Sequence, residues 1–230
     1  MRGEGGIGKS RLIDQFAVLA EASGLSGFRG LILDFGVGKG REPIADLIRA
    51  LLGLAAAADG EARIAAAERA IAEGLAAAAE RIFLYDLLNI PHSAEMRAVY
   101  DAMDNENRNL GKQECVAALF AAAARTRPLL LVVEDLHWAH GRTMDHLARL
   151  ARLAGEHPVI LLMSSRIEGD PLDSSWSYNA GASPFTTIDL MPLRTEEAMQ
   201  IAEEFVDINK ILPRNASPAP RAIPCFSINC

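Results

Sequence analysis

The stretch Gly3-Glu4-Gly5-Gly6-Ile7-Gly8-Lys9-Ser10 decides the fold of this chain. It satisfies the pattern GxxxxGK[ST] in full and leads directly into an amphipathic helix predicted over residues 9–22. Small residues let the backbone curl so that successive N–H groups face inward, and the helix start adds partial positive charge. The pattern therefore predicts a phosphate-binding loop, with Lys9 on the β and γ phosphates of a nucleotide and Ser10 on Mg²⁺.

A second motif ends a predicted buried strand. The aliphatic run Leu129 to Val133 is followed by Glu134 and Asp135. Beside a phosphate loop, one such carboxylate would hold the Mg²⁺ shell, and the other would orient or deprotonate the attacking water. The sequence leaves open which of Glu134 and Asp135 binds the metal.

The next buried run, residues 159–163, ends in Ser164-Ser165-Arg166. Arg166 either stabilises charge on the transferring phosphoryl group or only covers the end of the strand. His137 and His140 have no third ligand at metal-binding spacing, so we expect them to be structural. The predicted catalytic set is Lys9, Glu134, Asp135 and Arg166, and the predicted metal ligands are Ser10, Glu134 and Asp135.

Predicted strands alternate with predicted helices along the chain, which indicates an α/β fold with a parallel sheet flanked by helices. The strands are predicted at residues 29–35, 129–133, 159–163 and 186–190, and the helices at 9–22, 44–54, 61–81, 113–125, 142–154 and 195–206. Residues 83–109 are predicted to be helical with breaks. We expect one domain over residues 1–210 and a proline-containing, disordered tail over residues 211–230.

Composition excludes several classes of protein. Half of the residues are hydrophobic and 23% are charged, so the chain is expected to be globular, and no apolar run is long enough to span a bilayer. The formal net charge of −7 argues against direct binding to nucleic acid. Three cysteines without a CxxC pair and no recognisable leader favour the cytoplasm.

Three segments, in this order, resemble a known family. They are Gly-Glu-Gly-Gly-Ile-Gly-Lys-Ser-Arg-Leu from Gly3, Leu-Val-Val-Glu-Asp-Leu-His-Trp-Ala from Leu131, and the Ser-Ser-Arg strand end. Together they are similar to the AAA/STAND-type P-loop ATPase module found beside class III adenylate/guanylate cyclase domains and in large LuxR-type regulators. The resemblance covers about residues 3–206.

The resemblance implies a slow, Mg²⁺-dependent ATP switch that signals to neighbouring cyclase or other effector domains and repeat regions. The implied nucleotide contacts are Gly3, Glu4, Gly5, Gly6, Ile7, Gly8, Lys9, Ser10 and Arg11. One alternative is a fragment of a LuxR-type transcriptional regulator whose DNA-binding region lies elsewhere. Another is a non-catalytic remnant that keeps the motifs, and no cyclase catalytic site is recognisable.

The start of the chain departs from the family pattern, because a phosphate loop usually follows a central buried strand. Only Met1 and Arg2 precede Gly3. A sheet without that strand would leave a slot between its neighbours, with apolar faces and unpaired backbone groups exposed. We therefore expect the slot, and weak or absent ATP hydrolysis by the isolated chain.

Overall fold

The computed structural model describes residues 1–32, 42–172, 174–181, 183 and 185–193. The chain divides into two compact units, Met1–Leu190 and Met191–Cys230. The predicted helix at residues 195–206, the domain boundary at residue 210 and the tail at 211–230 lie outside the described residues.

Three parallel strands form the sheet that carries the site. They are β1 (Ser26–Leu31), β2 (Leu129–Glu134) and β3 (Val159–Met163), in the order β1-β2-β3. The register pairs Ser26 with Leu129, and Leu129 with Val159. All six residues of β2 are buried, as an uninterrupted aliphatic strand covered on both faces requires.

Helices cover both faces of the sheet, which confirms the predicted α/β class. The helices are α1 (Lys9–Ala22), α2 (Pro43–Leu51), α3 (Gly60–Ala72), α4 (Arg81–Leu87), α5 (Ala94–Ala102), α6 (Asn105–Ala124), α7 (Gly141–Glu156) and α8 (Ser174–Asn179), with 3-10 turns at Ala78–Glu80 and Leu136–Trp138. Within the described ranges, none of these helices is long and apolar enough to cross a membrane.

The two faces of β2 belong to two different hydrophobic clusters. Leu130 and Val132 pack with Ile13 of α1. Leu129, Leu131 and Val133 face the larger cluster, which includes Leu47 of α2, Phe120 of α6 and Leu150 of α7. Alternate residues of a strand point to opposite faces, so the aliphatic run builds both clusters at once.

The helix predicted over residues 61–81 is wrong beyond Ala72, because a turn and the 3-10 turn Ala78–Glu80 follow before α4 begins at Arg81. Helix α3 ends at Ala72, and Gly74 follows with a φ of 73°, a left-handed conformation that terminates helices. Helix α6 starts at Asn105, earlier than the predicted residue 113, because the Asp104 side chain accepts a hydrogen bond from the Asn107 N–H at 2.7 Å.

Strand β1 ends at Leu31, so the predicted extension to residue 35 enters residues that the structure does not describe. The strand predicted over residues 186–190 is wrong as a regular strand. Its ladder is reduced to one isolated parallel bridge, between Asp189 and Arg2.

Met1 and Arg2 lie between β3 and residues 188–190. Arg2 forms parallel bridges to both Ser165 and Asp189, and the Met1 ammonium donates to the Met163 carbonyl at 2.8 Å. A cavity of about 350 Å³ lies next to Met1, between β3 and residues 185–188. Its lining includes the apolar side chains of Ile160, Leu162 and Phe185.

Candidate functional site

The phosphate loop connects Arg2 to the first turn of α1. Gly6 and Gly8 have φ angles of 79° and 101°, which glycine adopts without steric cost. Within the described part of the chain, the N–H groups of Gly5, Gly6 and Gly8 donate to no backbone carbonyl. A Cβ built at any of these three glycines would meet no atom within 4 Å. The loop therefore presents free donors to open space, as an anion-binding loop must.

Lys9 is the buried cation of this loop, with 8% of its surface exposed. Its ammonium donates to the Gly3 carbonyl at 2.7 Å and to the Glu4 carbonyl at 2.9 Å. A Cβ on Gly3 would lie 2.9 Å from Ile7 Cγ2, so the first glycine permits the close turn. The side chain of Lys9 is thus folded back over the loop, with its charge beside the free N–H groups.

The other predicted loop contacts are at or near the surface. Glu4, Ser10 and Arg11 are exposed, and Ile7 is half-buried. Ser10 and Arg11 belong to the first turn of α1, where backbone N–H groups have no partner within the helix.

Ser10 and Glu134 are 124 residues apart in sequence and meet at the end of β2. The Ser10 hydroxyl donates to Glu134 Oε2 at 2.7 Å, and Arg29 Nε lies 2.8 Å from Glu134 Oε1. Arg29 also pairs with Asp14 at 2.7 Å. A hydroxyl and a carboxylate are hard oxygen donors of the kind that Mg²⁺ takes, so this pair fits the metal that the phosphate loop implies.

Asp135 has a different environment from Glu134. Glu134 is 4% exposed, whereas half of the Asp135 side chain is exposed. The backbone of Asp135 adopts a left-handed conformation with a φ of 61°, and its N–H donates to Ser164 Oγ at 3.3 Å. The two carboxylates therefore differ in their surroundings, because Glu134 is buried against Ser10 and Arg29, whereas Asp135 lies in the turn that follows β2.

Arg166 lies beside the turn that follows β2. Its guanidinium carbon is 5.9 Å from the centre of the Trp138 ring, and both side chains are exposed. In the described ranges, Arg166 makes no hydrogen bond to the phosphate loop. The hydroxyl of the neighbouring Ser165 is buried without a hydrogen-bond partner among these residues. The structure therefore places Arg166 beside Trp138, and its charge also acts on His137.

His137 is a candidate that sequence reasoning missed. Its side chain is 8% exposed, both ring nitrogens lack a hydrogen-bond partner in the described structure, and Nδ1 is 4.0 Å from Asp135 Oδ1. Burial, followed by the charge of Arg166, lowers the pKa of His137 below its usual value, so the ring is neutral at pH 7. In the sequence, its position two residues after Asp135 is the signal that places it beside the candidate site.

Comparison with known proteins identifies the family of this chain. A family model described as an AAA ATPase domain matches residues 2–162, which is more than half of the sequence. The match spans the phosphate loop, both carboxylates at the end of β2, and most of β3. No curated protein and no solved structure matches. This chain therefore belongs to the AAA ATPase domain family, whose members are nucleotide-binding P-loop ATPases.

Proposed function

We propose that this chain is a Mg·ATP-binding switch of the AAA/STAND type, which hydrolyses ATP slowly and passes its nucleotide state to an effector domain of the adenylate/guanylate cyclase kind. The observation that carries the catalytic half of the proposal is the meeting of Ser10 and Glu134 at 2.7 Å beside the free N–H groups of the loop. The effector class rests on the resemblance of the three sequence segments, of which residues 135–139 are the most characteristic.

Nucleotide binding would use groups that are already in place. The free N–H groups of the loop would bind phosphate oxygens, and the Lys9 ammonium would leave the Gly3 and Glu4 carbonyls for the β and γ phosphates. Bound Mg²⁺ supplies positive charge that neutralises the phosphate oxygens. Ser10 and Glu134 are the residues of this chain that would hold it.

Glu134 and Asp135 take separate roles in this proposal. Both oxygens of Glu134 are engaged, one by Arg29 and the other by Ser10, so Glu134 suits a metal ligand better than a base. Asp135 is half exposed and lies beside the neutral His137. Asp135 would therefore orient the attacking water, and Arg166 would contribute positive charge on the same side.

A pair of charge-neutral substitutions tests this division of roles. Mg²⁺ is expected to raise the affinity of the parent chain for a fluorescent ATP analogue. Glu134→Gln should reduce the factor by which Mg²⁺ raises that affinity at least tenfold. Asp135→Asn is expected to keep that affinity within about threefold and to lower the hydrolysis rate at least tenfold. Asp101→Asn, on the exposed surface of α5, is the matched control.

The proposed roles would be overturned if Asp135→Asn removed the Mg²⁺ dependence while Glu134→Gln kept it. The ATPase assignment itself would fail if the folded chain bound no Mg·ATP by calorimetry. Fusing the chain to a cyclase domain and comparing cyclase rates with ATP and with a non-hydrolysable analogue tests the effector class. Equal rates in both nucleotide states would contradict the switch.

A further inference from the structure

A polar cavity lies between α2, α4, α6 and α7, and we call it the cationic cleft. It has two adjoining parts of about 480 Å³ each, which share Asp86, Asn109, Lys112 and Arg142. None of the lining residues belongs to the phosphate loop or to β2. The cleft is therefore a different site from the proposed ATP site.

Positive charge dominates the lining of the cleft. Its cations are Arg49, Arg108, Lys112 and Arg142, and its carboxylates are Glu42 and Asp86. The whole chain carries a formal charge of −7, so this local excess runs against the overall sign. A concave surface lined by one sign of charge concentrates counter-ions of the other sign.

Most of these charges already have partners within the protein. Lys112 pairs with Asp86 at 3.1 Å, and Arg49 pairs with Asp46 at 3.2 Å. Arg108 donates to the Tyr100 carbonyl at 2.8 Å and lies over the Tyr100 ring.

Arg142 is different from the other cations of the cleft. Its side chain is exposed and, among the described residues, makes neither an ion pair nor a hydrogen bond. Its planar guanidinium offers a fork of N–H donors that suits the two oxygens of a phosphate or a carboxylate. Asn105 and Asn109, one turn apart on α6, add amide donors to the same wall.

His146 supplies the second, independent observation that points to a ligand. It lines the cleft, is 6% exposed, and its Nδ1 has no hydrogen-bond partner within the described ranges. A buried polar atom without a hydrogen-bond partner is destabilising, so a ligand that supplied the bond would be favoured. Arg142 and His146 are four residues apart on α7, so their side chains lie on the same face of that helix.

We propose that the cationic cleft binds a small oxyanion, either a phosphate or a carboxylate group, between the side chains of Arg142, Lys112 and His146. Arg142 provides the unpaired charge, and Lys112 reaches the anion from its contact with Asp86. The imidazole of His146, which lines the cleft, completes the site as a hydrogen-bond donor.

The test titrates inorganic phosphate and malonate separately into the Lys9→Ala chain, in which the phosphate loop has lost its cation. The signal is the imidazole Cε1–H resonance of His146, assigned with His146→Gln, and sodium chloride at matched ionic strength is the reference. We expect a saturable shift with at least one of the two anions. The anion that binds more tightly identifies the source of the oxyanion.

Arg142→Gln is expected to weaken this affinity at least tenfold, and Lys112→Ala gives a second variant with the same expected direction. Arg97→Gln, on the exposed surface of α5 and outside the cleft, should leave the affinity unchanged. The proposal is overturned if neither anion shifts the resonance beyond the chloride reference. It is also overturned if Arg142→Gln and Lys112→Ala both bind as tightly as the parent chain.

Discussion

The phosphate loop and the cationic cleft both gather hydrogen-bond donors around open space, but they assemble them differently. In the loop, the free N–H groups and Lys9 come from one run of eight residues, and only Glu134 is brought in from elsewhere. In the cleft, Arg49, Lys112 and Arg142 come from three different helices. A binding site made of backbone N–H groups can thus be specified by one short segment of sequence. A binding site made of side chains from several helices depends on how those helices pack.

The largest effect is expected from a substitution that changes the phosphate loop and leaves the cationic cleft intact. Lys9→Ala should weaken Mg·ATP binding about a thousandfold, or about 4 kcal/mol, because it removes the buried cation of the loop. Lys112→Ala is the matched control, since it removes the lysine of the cleft. Calorimetry with Mg·ATP measures both variants. An equal loss in Lys112→Ala would show that the two sites are not independent.

Acid should destabilise the cleft side of the molecule through His146. Burial, helped by the charge of Lys112, lowers the pKa of His146 to about 4, against about 6.5 in an unfolded chain. The unfolded chain therefore binds the proton that the folded chain excludes, and stability falls as the pH drops from about 6.5 towards 4. The loss attributable to His146 should approach about 3 kcal/mol.

Urea unfolding at several pH values measures this effect as the difference between the parent chain and His146→Gln. The carboxylates of Glu68, Glu114 and Asp189 also have lowered pKa values, and their contribution cancels in that difference. Parallel stability curves for the two chains between pH 6.5 and 4 would contradict the assignment to His146.

The contact between β1 and α2 supports one wall of the cleft and gives a smaller effect. A Cβ on Gly30 would lie 2.5 Å from the Pro43 carbonyl oxygen, so Gly30→Ala should cost about 2 kcal/mol through overpacking. Gly27→Ala in the same strand would meet only the flexible end of Glu21. Thermal unfolding should separate the two variants clearly, and similar midpoints would argue against the tight packing of α2 on β1.

The smallest expected effect concerns the start of α6, which carries Asn105 and Asn109 of the cleft. Asp104→Ala removes the cap on the Asn107 N–H and should cost about 1 kcal/mol. Asp101→Ala removes two ion pairs of an exposed carboxylate, to Arg97 at 3.4 Å and to Arg108 at 4.0 Å, and such surface pairs contribute little. Chemical unfolding of both variants measures the difference. An Asp101→Ala cost as large as that of Asp104→Ala would contradict the capping role.

The elements with strong local signals were predicted well. Helix α1 has the predicted bounds, and the aliphatic runs at Leu129 and Val159 form adjacent parallel strands. The errors in predicted secondary structure occur where a single residue, or a partner distant in sequence, determines the local conformation. Gly74 follows the early end of a predicted helix, and within the described ranges residues 186–190 form a single bridge, between Asp189 and Arg2.

The sequence by itself determined the class of fold and the chemistry of the loop, because contiguous glycines, a lysine and a serine specify a backbone conformation that can bind phosphate. The sequence left open which of Glu134 and Asp135 binds the metal. Tertiary structure distinguished them, since the left-handed turn at Asp135 and the contacts of Arg29 and Ser10 bury one carboxylate and expose the other.

The cationic cleft was also decided by tertiary structure alone. Its charges have no common spacing in the sequence, and they converge only because α2, α4, α6 and α7 pack around one cavity.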